Sequence, residues 1–317
     1  MCLSVIIPTY NRCSLLQEAI GSARRQNMPP CEIIVCDDGS TDGTAEFVQK
    51  HDLVNASDGR IQLLLSATAD RRGAQVARNR GMTAARGKWI MFLDSDDAVV
   101  AGGVATLVEH LQKDLTLDYA YGKIIRTDEK LKPLPGMSPV GKPFSDAPVD
   151  VAGWHWPIMG AVYRKSYLEK VGPWNEALTG SQDWEYQARV KLAGGRRQFV
   201  DTLVGYWRMH GDSRVGTRVF RYDYTYSVIK ACQSIAQHAR QAGRYDRALA
   251  NRLGGKMFLH GLEFSVNGFP EEARSTFNKV KSMPEISPQM RALMSIFAFN
   301  PRFVNWCAFR TLRAIKG

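Results

Sequence analysis

The chain has 317 residues, 44% hydrophobic, 10% aromatic and 23% charged, which excludes a disordered polymer and leaves room for one large domain or two smaller ones. The formal charge of +11 is uneven: residues 1–215 carry 26 basic and 25 acidic side chains, whereas residues 216–317 carry 16 and 6. Six cysteines (Cys2, Cys13, Cys31, Cys36, Cys232 and Cys307) show neither a CxxC pair nor regular spacing, so neither a zinc site nor a disulfide framework is expected.

Along the first 125 residues short apolar runs alternate with helical periodicity, which predicts βαβ units and a mostly parallel sheet. Leu3-Ser4-Val5-Ile6-Ile7-Pro8 reads as the first strand, and Leu15, Leu16, Ala19, Ile20 and Ala23 mark an amphipathic helix. Glu32-Ile33-Ile34-Val35-Cys36 is a second strand, broken by Asp37-Asp38-Gly39-Ser40 and followed by a helix over 43–51. A third strand covers 61–65 and a helix 73–85; then Lys88-Trp89-Ile90-Met91-Phe92-Leu93 runs into Asp94-Ser95-Asp96-Asp97. Hard divalent cations take oxygen ligands and share protein carboxylates with substrate phosphates, so this acidic strand end reads as a metal site. An acidic turn capping the next helix is the alternative. Ligands of open α/β sheets bind beyond the carboxyl ends of the strands, where Thr9-Tyr10-Asn11-Arg12, Asp37-Asp38 and residues 94–97 would converge.

Residues 130–148, with five prolines and three lysines, read as a loop. From about residue 219 the pattern is helical without strand signals. Residues 226–242 and 245–267 suggest an antiparallel pair, and another helix starts at Pro270. The last stretch sets Leu293, Met294, Ile296, Phe297, Phe299, Phe303, Val304, Trp306 and Phe309 against Arg291, Arg302, Arg310, Arg313 and Lys316. That basic, aromatic amphipathic pattern suits a membrane surface; packing on the catalytic domain or a second subunit would use the same face. No run approaches the roughly 18 apolar residues of a spanning helix, and residues 3–8 are too short and lack the basic flank of a signal peptide. The expected setting is cytoplasmic, with peripheral contact to the inner face of the cytoplasmic membrane through 290–317.

Four segments in order, Ser4-Val5-Ile6-Ile7-Pro8-Thr9-Tyr10-Asn11-Arg12, Val35-Cys36-Asp37-Asp38-Gly39-Ser40-Thr41-Asp42-Gly43-Thr44, Ala77-Arg78-Asn79-Arg80-Gly81 and Asp94-Ser95-Asp96-Asp97, closely resemble glycosyltransferase family 2. The resemblance continues through Val171-Gly172-Pro173-Trp174-Asn175-Glu176, Gln182-Asp183 and Tyr206-Trp207-Arg208-Met209-His210. It implies a GT-A fold, Rossmann-like with a mostly parallel sheet flanked by helices, over 1–217, followed by an all-helical, basic C-terminal region over 218–317. It also implies a nucleotide-sugar donor, a divalent cation (Mn²⁺ or Mg²⁺) and inversion at the anomeric carbon.

The resemblance makes Asp96 the metal ligand and Asp94 the ribose-side partner, beside Ser95. For Asp97 a helix cap over 98–111 is the expectation. Pro8, Thr9, Tyr10, Asn11 and Arg12 would line the donor nucleotide, with Tyr10 offering a ring on which a base can stack. Asp38 would accept the imino proton of a uracil or thymine ring. Arg78 would screen the developing phosphate charge, unless Arg71 or Arg72 does so. Asp183 is the candidate general base for the acceptor hydroxyl, with Glu185 competing because this chain has Gln182-Asp183 where the family usually has Glu-Asp. His210 would complete the cation's coordination or meet the diphosphate, with Arg208 and Ser213 as phosphate contacts. Trp154 and Trp156 would present aromatic faces to the acceptor, core packing being the alternative. A glycan or lipid-linked acceptor is expected.

Other classes fit less well. A haloacid-dehalogenase phosphatase wants Thr or Val where this chain has Ala98, after its first strand. A nucleotidyltransferase usually opens with a glycine-rich phosphate loop, absent after Pro8. A non-catalytic nucleotide- or carbohydrate-binding module would not need Asp183. No nucleic-acid partner is expected, because the basic region's aromatics follow a helix face.

Overall fold

The computed structural model describes residues 2–26, 31–52, 60–65, 72–153, 156–209 and 220–299. In chain order its elements are β1 (Leu3–Thr9), α1 (Cys13–Arg24), β2 (Glu32–Asp37), α2 (Thr44–Asp52), β3 (Arg60–Leu64), α3 (Ala74–Ala84), β4 (Trp89–Phe92), β5 (Ala98–Val99), α4 (Gly103–Lys113) and β6 (Tyr119–Thr127). They continue with α5 (Pro148–Val151), β7 (Ala161–Arg164), α6 (Lys165–Val171), α7 (Gln182–Leu192), β8 (Arg197–Arg208), α8 (Tyr222–Gln241), α9 (Arg247–Val266), α10 (Pro270–Lys281) and α11 (Pro288–Phe299). Two compact units result. One comprises Met1–Pro143, Trp156–Glu176 and Ala193–Asp212; the other Phe144–His155, Ala177–Leu192 and Ser213–Gly317. The second unit therefore draws two segments from within the 1–217 span.

The first unit is built on an eight-stranded sheet in the order β3-β2-β1-β4-β7-β6-β8-β5. The β3-β2-β1-β4 half is parallel, as the alternating pattern predicts; β7 then pairs antiparallel with both β4 and β6, and β6 pairs parallel with β8. Parallel strands are covered on both faces, which is why β1 and β2 are buried at every position and read as continuous apolar runs. Burying Ile6, Ile7, Ile33 and Ile34 completely favours the fold by roughly 1.5–3 kcal/mol for each side chain. α1 lays Leu16, Ala19, Ile20 and Ala23 into the same core as Val5, Ile7, Met91 and Leu107. α3 lies close on β1: a Cβ at Gly81 would collide with Ile6 Cγ2 and sit 3.0 Å from Cys36 Sγ, so the last residue of Ala77-Arg78-Asn79-Arg80-Gly81 is set by packing.

The strand order reverses at β1, with β2 on one side and β4 on the other, and this switch point opens a crevice. β1 runs on beyond its last pair with β4, Ile6 with Phe92. Pro8, which has no N–H to donate, sits where that side of the strand is open.

Two expectations are corrected here. The helix expected from Ala98 is absent from the start of that segment: Ala98 and Val99 form β5, paired antiparallel with Tyr206 and Gly205 of β8. α4 begins at Gly103, after Gly102 at φ 76; the β-branched pair Val99-Val100, followed after Ala101 by two glycines, favours a strand and a turn over a helix start. The cysteines also hold a bridge that their spacing hid: Cys2 and Cys31 form a disulfide with Cα atoms 5.2 Å apart. Parallel pairing of β1 with β2 places the two strand entrances side by side, and the Cys31 N–H donates to Leu3 O (3.1 Å).

The second unit is helical. α8, α9 and α10 share a core that includes Val228, Cys232, Ile235, Leu253, Met257, Phe264 and Phe277. Asp246 caps α9 by accepting from Leu249 N–H (2.8 Å), the arrangement expected of Asp at a helix start.

Candidate active site

At the C-terminal end of β1 the backbone turns through Asn11, whose φ of 49 is left-handed, a conformation Asn tolerates better than most residues. Its side chain accepts from Thr41 N–H (2.7 Å) while its own N–H donates to Ser40 Oγ (2.9 Å). The loops after β1 and β2 are thereby joined.

Most of the acidic segment after β2 is a frame for those loops. Asp37 accepts from both the N–H (3.1 Å) and the hydroxyl (2.5 Å) of Ser40. Asp42 accepts from Cys13 N–H (3.0 Å) at the start of α1 and from the N–H (3.1 Å) and hydroxyl (2.5 Å) of Thr44 at the start of α2. Burial pushes the Asp42 carboxyl up, but the Thr44 hydroxyl and the Cys13 and Thr44 amides outweigh it and hold the group below its ordinary value. Asp38 is buried, with Oδ1 accepting from Arg72 N–H (3.0 Å) and Oδ2 from Gly73 N–H (2.7 Å). The carboxylate thereby anchors the loop that starts α3, with two of its acceptor positions taken by backbone amides.

Beyond β4 the carboxylates meet guanidinium groups instead. Oxygens of Asp94, Asp96 and Asp97 lie within 4.8 Å of one another, a separation at which each pair of unit charges repels by about 3 kcal/mol at an effective dielectric near 20. Three arginines stabilise the cluster. Arg78 Nη2 is 2.6 Å from Asp94 Oδ1; its guanidinium is 4% exposed and lies 4.5 Å from the centre of the Trp174 ring. Arg12 Nη1 is 2.7 Å from Asp96 Oδ2, and here both partners reach solvent, at 37% and 18%. Arg208 donates its backbone N–H to Asp97 Oδ1 (2.9 Å) and its Nε–H to the Asp96 carbonyl (2.8 Å).

Asp97 is buried at 4% and ties the acidic turn to the end of β8, which replaces its expected role as a helix cap. Arg208 is corrected as well. Its guanidinium is buried, pairs with Glu18 of α1 (2.7 Å) and donates to the Glu129 carbonyl, so it braces the turn from behind rather than facing a phosphate. Arg78 keeps its place beside the cluster, but its charge is directed to Asp94. Arg72 pairs loosely with Glu176 (3.8 Å) at the surface.

A hard cation suits this donor set, since every candidate ligand is a carboxylate oxygen. Asp94 is held by a buried partner and Asp97 by a backbone amide, whereas Asp96 is held by a solvent-reaching side chain. Asp96 is therefore the carboxylate best placed to exchange its partner for a metal.

Asn79 supports the site, a role that its residue type alone does not announce. Its side-chain NH₂ donates to the Trp174 carbonyl (3.0 Å) and Glu176 Oε1 (2.9 Å), and its Oδ1 accepts from Trp174 N–H (2.7 Å). That clip holds the ring on which Arg78 rests. The signal was present, because Asn79 and Trp174 both lie in segments that carry the family resemblance.

In the helical unit, Asp183 stands half-buried on the first turn of α7, after Ser181 at φ 55. Glu185 lies two residues further along the same helix. That carboxylate is buried, doubly bonded to Arg189 (2.9 and 3.1 Å) and bonded again by the Ser234 hydroxyl (2.6 Å), which ties it to its neighbours within the helical unit. For Trp156 the structure takes the core-packing alternative over the acceptor platform: it is fully buried, donates Nε1–H to Tyr163 Oη (2.8 Å) and stacks on Tyr119 and Tyr121. Tyr10 remains partly exposed at the crevice, while Pro8, Thr9 and Ser95 are buried beside it. Trp154, His210, Ser213 and Arg71 lie outside the described residues.

Comparison with known proteins gives the fold and the family. The S. aureus TarS 1–349 structure in complex with UDP-GlcNAc shares the GT-A fold at a TM-score of 0.71 and 19% identity, covering 98% of this chain and 92% of that one. The GalNAc(5)-diNAcBac-PP-undecaprenol beta-1,3-glucosyltransferase of Campylobacter jejuni is 39% identical over 107 residues, 34% of this chain and 33% of that protein. The UDP-Glc:alpha-D-GlcNAc-diphosphoundecaprenol beta-1,3-glucosyltransferase WfgD of Escherichia coli is 34% identical over 120 residues, 38% of this chain and 44% of that protein. The matched stretches thus span less than half the length of these curated relatives. A model of glycosyl transferase family 2 matches residues 4–172, more than half of the chain, and with the acidic strand end, the joined loops and the buried arginine brace in place, the protein belongs to glycosyl transferase family 2.

Proposed function

We propose that this protein is an inverting, metal-dependent glycosyltransferase that moves a sugar from a UDP-sugar to a glycan or lipid-linked acceptor in surface polysaccharide synthesis. The observation that carries this reading is the Asp94, Asp96 and Asp97 cluster at the open end of the β1/β4 switch point. The activities named for the two relatives, both on diphosphoundecaprenol-linked glycans, support the acceptor class. The UDP-Glc in one of those names and the UDP-GlcNAc bound to TarS support the donor.

In this proposal Asp96 and Asp94 hold a divalent cation, Mn²⁺ or Mg²⁺, which when bound neutralises charge developing on the leaving diphosphate. Tyr10 supplies a face for the base, and Asn11 holds the backbone that presents it. Arg78, seated on Trp174, fixes the angle of Asp94 on the ribose side. Asp183 takes the proton from the acceptor hydroxyl as that oxygen attacks the anomeric carbon from the face opposite the leaving group. His210 and Ser213 are proposed diphosphate contacts, and Trp154 an acceptor contact.

Peripheral membrane contact through 290–317 is part of the proposal. α11 presents Leu293, Ile296 and Phe299 outward, 37%, 58% and 91% exposed, and no acidic residue follows Glu285. Among the described residues no helix is long and apolar enough to cross a membrane. The proposed location is the cytoplasmic face of the membrane.

The test is Asp96→Ala, assayed for Mn²⁺-dependent turnover of UDP-sugars alongside circular dichroism. Loss of turnover with an unchanged spectrum is expected; unchanged turnover overturns the assignment.

A further inference from the structure

The Asp96 carboxylate already has a cationic partner supplied by the chain. Arg12 Nη1 lies 2.7 Å from Asp96 Oδ2, where a metal bound at the acidic cluster would take a carboxylate oxygen. We infer that Arg12 is a resident counter-ion that a divalent cation must displace, and that the displaced guanidinium is taken up by the donor diphosphate, so that metal and donor bind cooperatively. This inference rests on the reading of the cluster as a metal-assisted donor site.

Three features distinguish Arg12 from the other arginines around the cluster. First, it reaches solvent where they do not: its side chain is 37% exposed, whereas Arg78 is 4% and Arg208 2% exposed. Secondly, its backbone is fixed while its side chain has room to move. The Arg12 carbonyl accepts from Leu16 N–H (2.9 Å), the next amide donates to Asp42, and the residue before it is held by Thr41 and Ser40. A guanidinium released from Asp96 therefore stays within one side-chain length of the crevice. Thirdly, it makes no side-chain bond to cap α1, so moving it leaves the helix start intact.

The charges then dictate the order of exchange. A dication and a guanidinium on the same carboxylate repel each other, so Arg12 raises the cost of metal entry when no other anion is near. A diphosphate brings oxygens that guanidinium recognises through paired hydrogen bonds, and pairing with it removes the competitor from Asp96. Because linkage is reciprocal, whatever factor the diphosphate adds to metal affinity the metal adds to diphosphate affinity.

The experiment measures Mn²⁺ binding to the full chain by the electron paramagnetic resonance signal of free Mn²⁺, with and without UDP. Wild type, Arg12→Gln, Arg12→Lys and Asp96→Asn are compared after circular dichroism confirms that each is folded. UDP is expected to tighten Mn²⁺ binding to the wild type by roughly tenfold, within the usual range of coupling between sites. Arg12→Gln is expected to bind Mn²⁺ alone about 3–10-fold more tightly and to lose that same factor of the tightening by UDP, with Arg12→Lys in between. Wild-type Mn²⁺ affinity in Arg12→Gln, or undiminished tightening by UDP, overturns the inference. Asp96→Asn separates the two failures. If it abolishes Mn²⁺ binding while Arg12→Gln behaves as wild type, only the role of Arg12 falls. If it leaves Mn²⁺ binding unchanged, the metal-site reading and the role of Arg12 fall together.

Discussion

Two acidic segments meet at the same end of the sheet, after β2 and after β4, and they use their carboxylates in opposite ways. Asp37, Asp38 and Asp42 accept N–H and hydroxyl groups of nearby turns. Asp94 and Asp96 face guanidinium groups instead, and Asp97 faces the amide of a strand 111 residues away. A carboxylate that accepts amides orders the backbone and is satisfied by it. A carboxylate held among like charges by an exposed arginine is stabilised only until a better cation arrives. Both segments carry the family resemblance, and the second adds a cluster of like charges held by guanidinium groups.

The sharpest way to break this contrast is to exchange phenotypes between the two segments. Asp96→Ala should cut metal-dependent turnover by about 100-fold or more while changing stability by about 0.5 kcal/mol or less, as for other surface changes. Asp38→Asn should do the reverse. Its amide cannot accept from both Arg72 and Gly73, and leaving one buried N–H unmatched costs about 1–3 kcal/mol, read as a lowered urea midpoint. If Asp38→Asn lost activity at full stability, the division into frame and site would fail.

Arg208 tests whether the site depends on its brace. Replacing a buried cation that bonds Glu18, the Asp96 carbonyl and the Glu129 carbonyl with methionine should cost about 2–3 kcal/mol, since Glu18 is half exposed and can be rehydrated. Turnover should fall as well, because the Asp96 main chain loses its support. Denaturation midpoints and kcat measured on the same preparation check both; a destabilised variant with full kcat would limit Arg208 to a structural role.

Much of this was legible in the sequence, for reasons that also explain what was not. The strands after which the site loops fall were readable because parallel strands bury both faces and leave continuous apolar runs in the sequence. The acidic cluster was readable because its three members are nearly adjacent. Arg208 was read as a phosphate contact because an arginine near the end of a strand gives no hint of its partners, and its partner Glu18 lies 190 residues away. Trp156 and Trp174 illustrate the same limit. Residue type alone did not show that Trp156 would fill a core of tyrosines or that Trp174 would support Arg78. The strand after Asp97 is hidden in the sequence because Ala98 and Val99 gain their strand partners from Tyr206 and Gly205, far along the chain.

Asp42 offers a smaller effect with a definite pH signature. It serves the starts of both α1 and α2, yet it is largely open to solvent, so screening should hold the cost of Asp42→Ala to about 1 kcal/mol, the value of one helix cap. Because its folded pKa lies below the ordinary value of 3.8, its contribution is fully present above that value and is lost as pH falls through the folded one. The stability gap between wild type and Asp42→Ala should therefore be constant near neutral pH and close under acid conditions. A gap that persisted in acid would mean that the charge of Asp42 does not matter to the joined loops.

The smallest expected effect is an absence of reaction at the foot of the frame. Cys36 is the residue before Asp37; burial pushes its thiol up to about 12, against smaller opposing effects from the Arg80 charge and the Gly81 amide. At pH near 8 it should be almost entirely protonated and shielded, so iodoacetamide should label it no faster than the native state opens. Cys13 lies in the same unit and is partly exposed beside the site loop, so it provides the internal control and should label first. Peptide mass mapping over a time course distinguishes the two thiols. Early labelling of Cys36 would show that the sheet beneath Asp37 opens locally, and the segment after β2 would then be too labile to serve as the fixed frame against which Asp96 exchanges its partner.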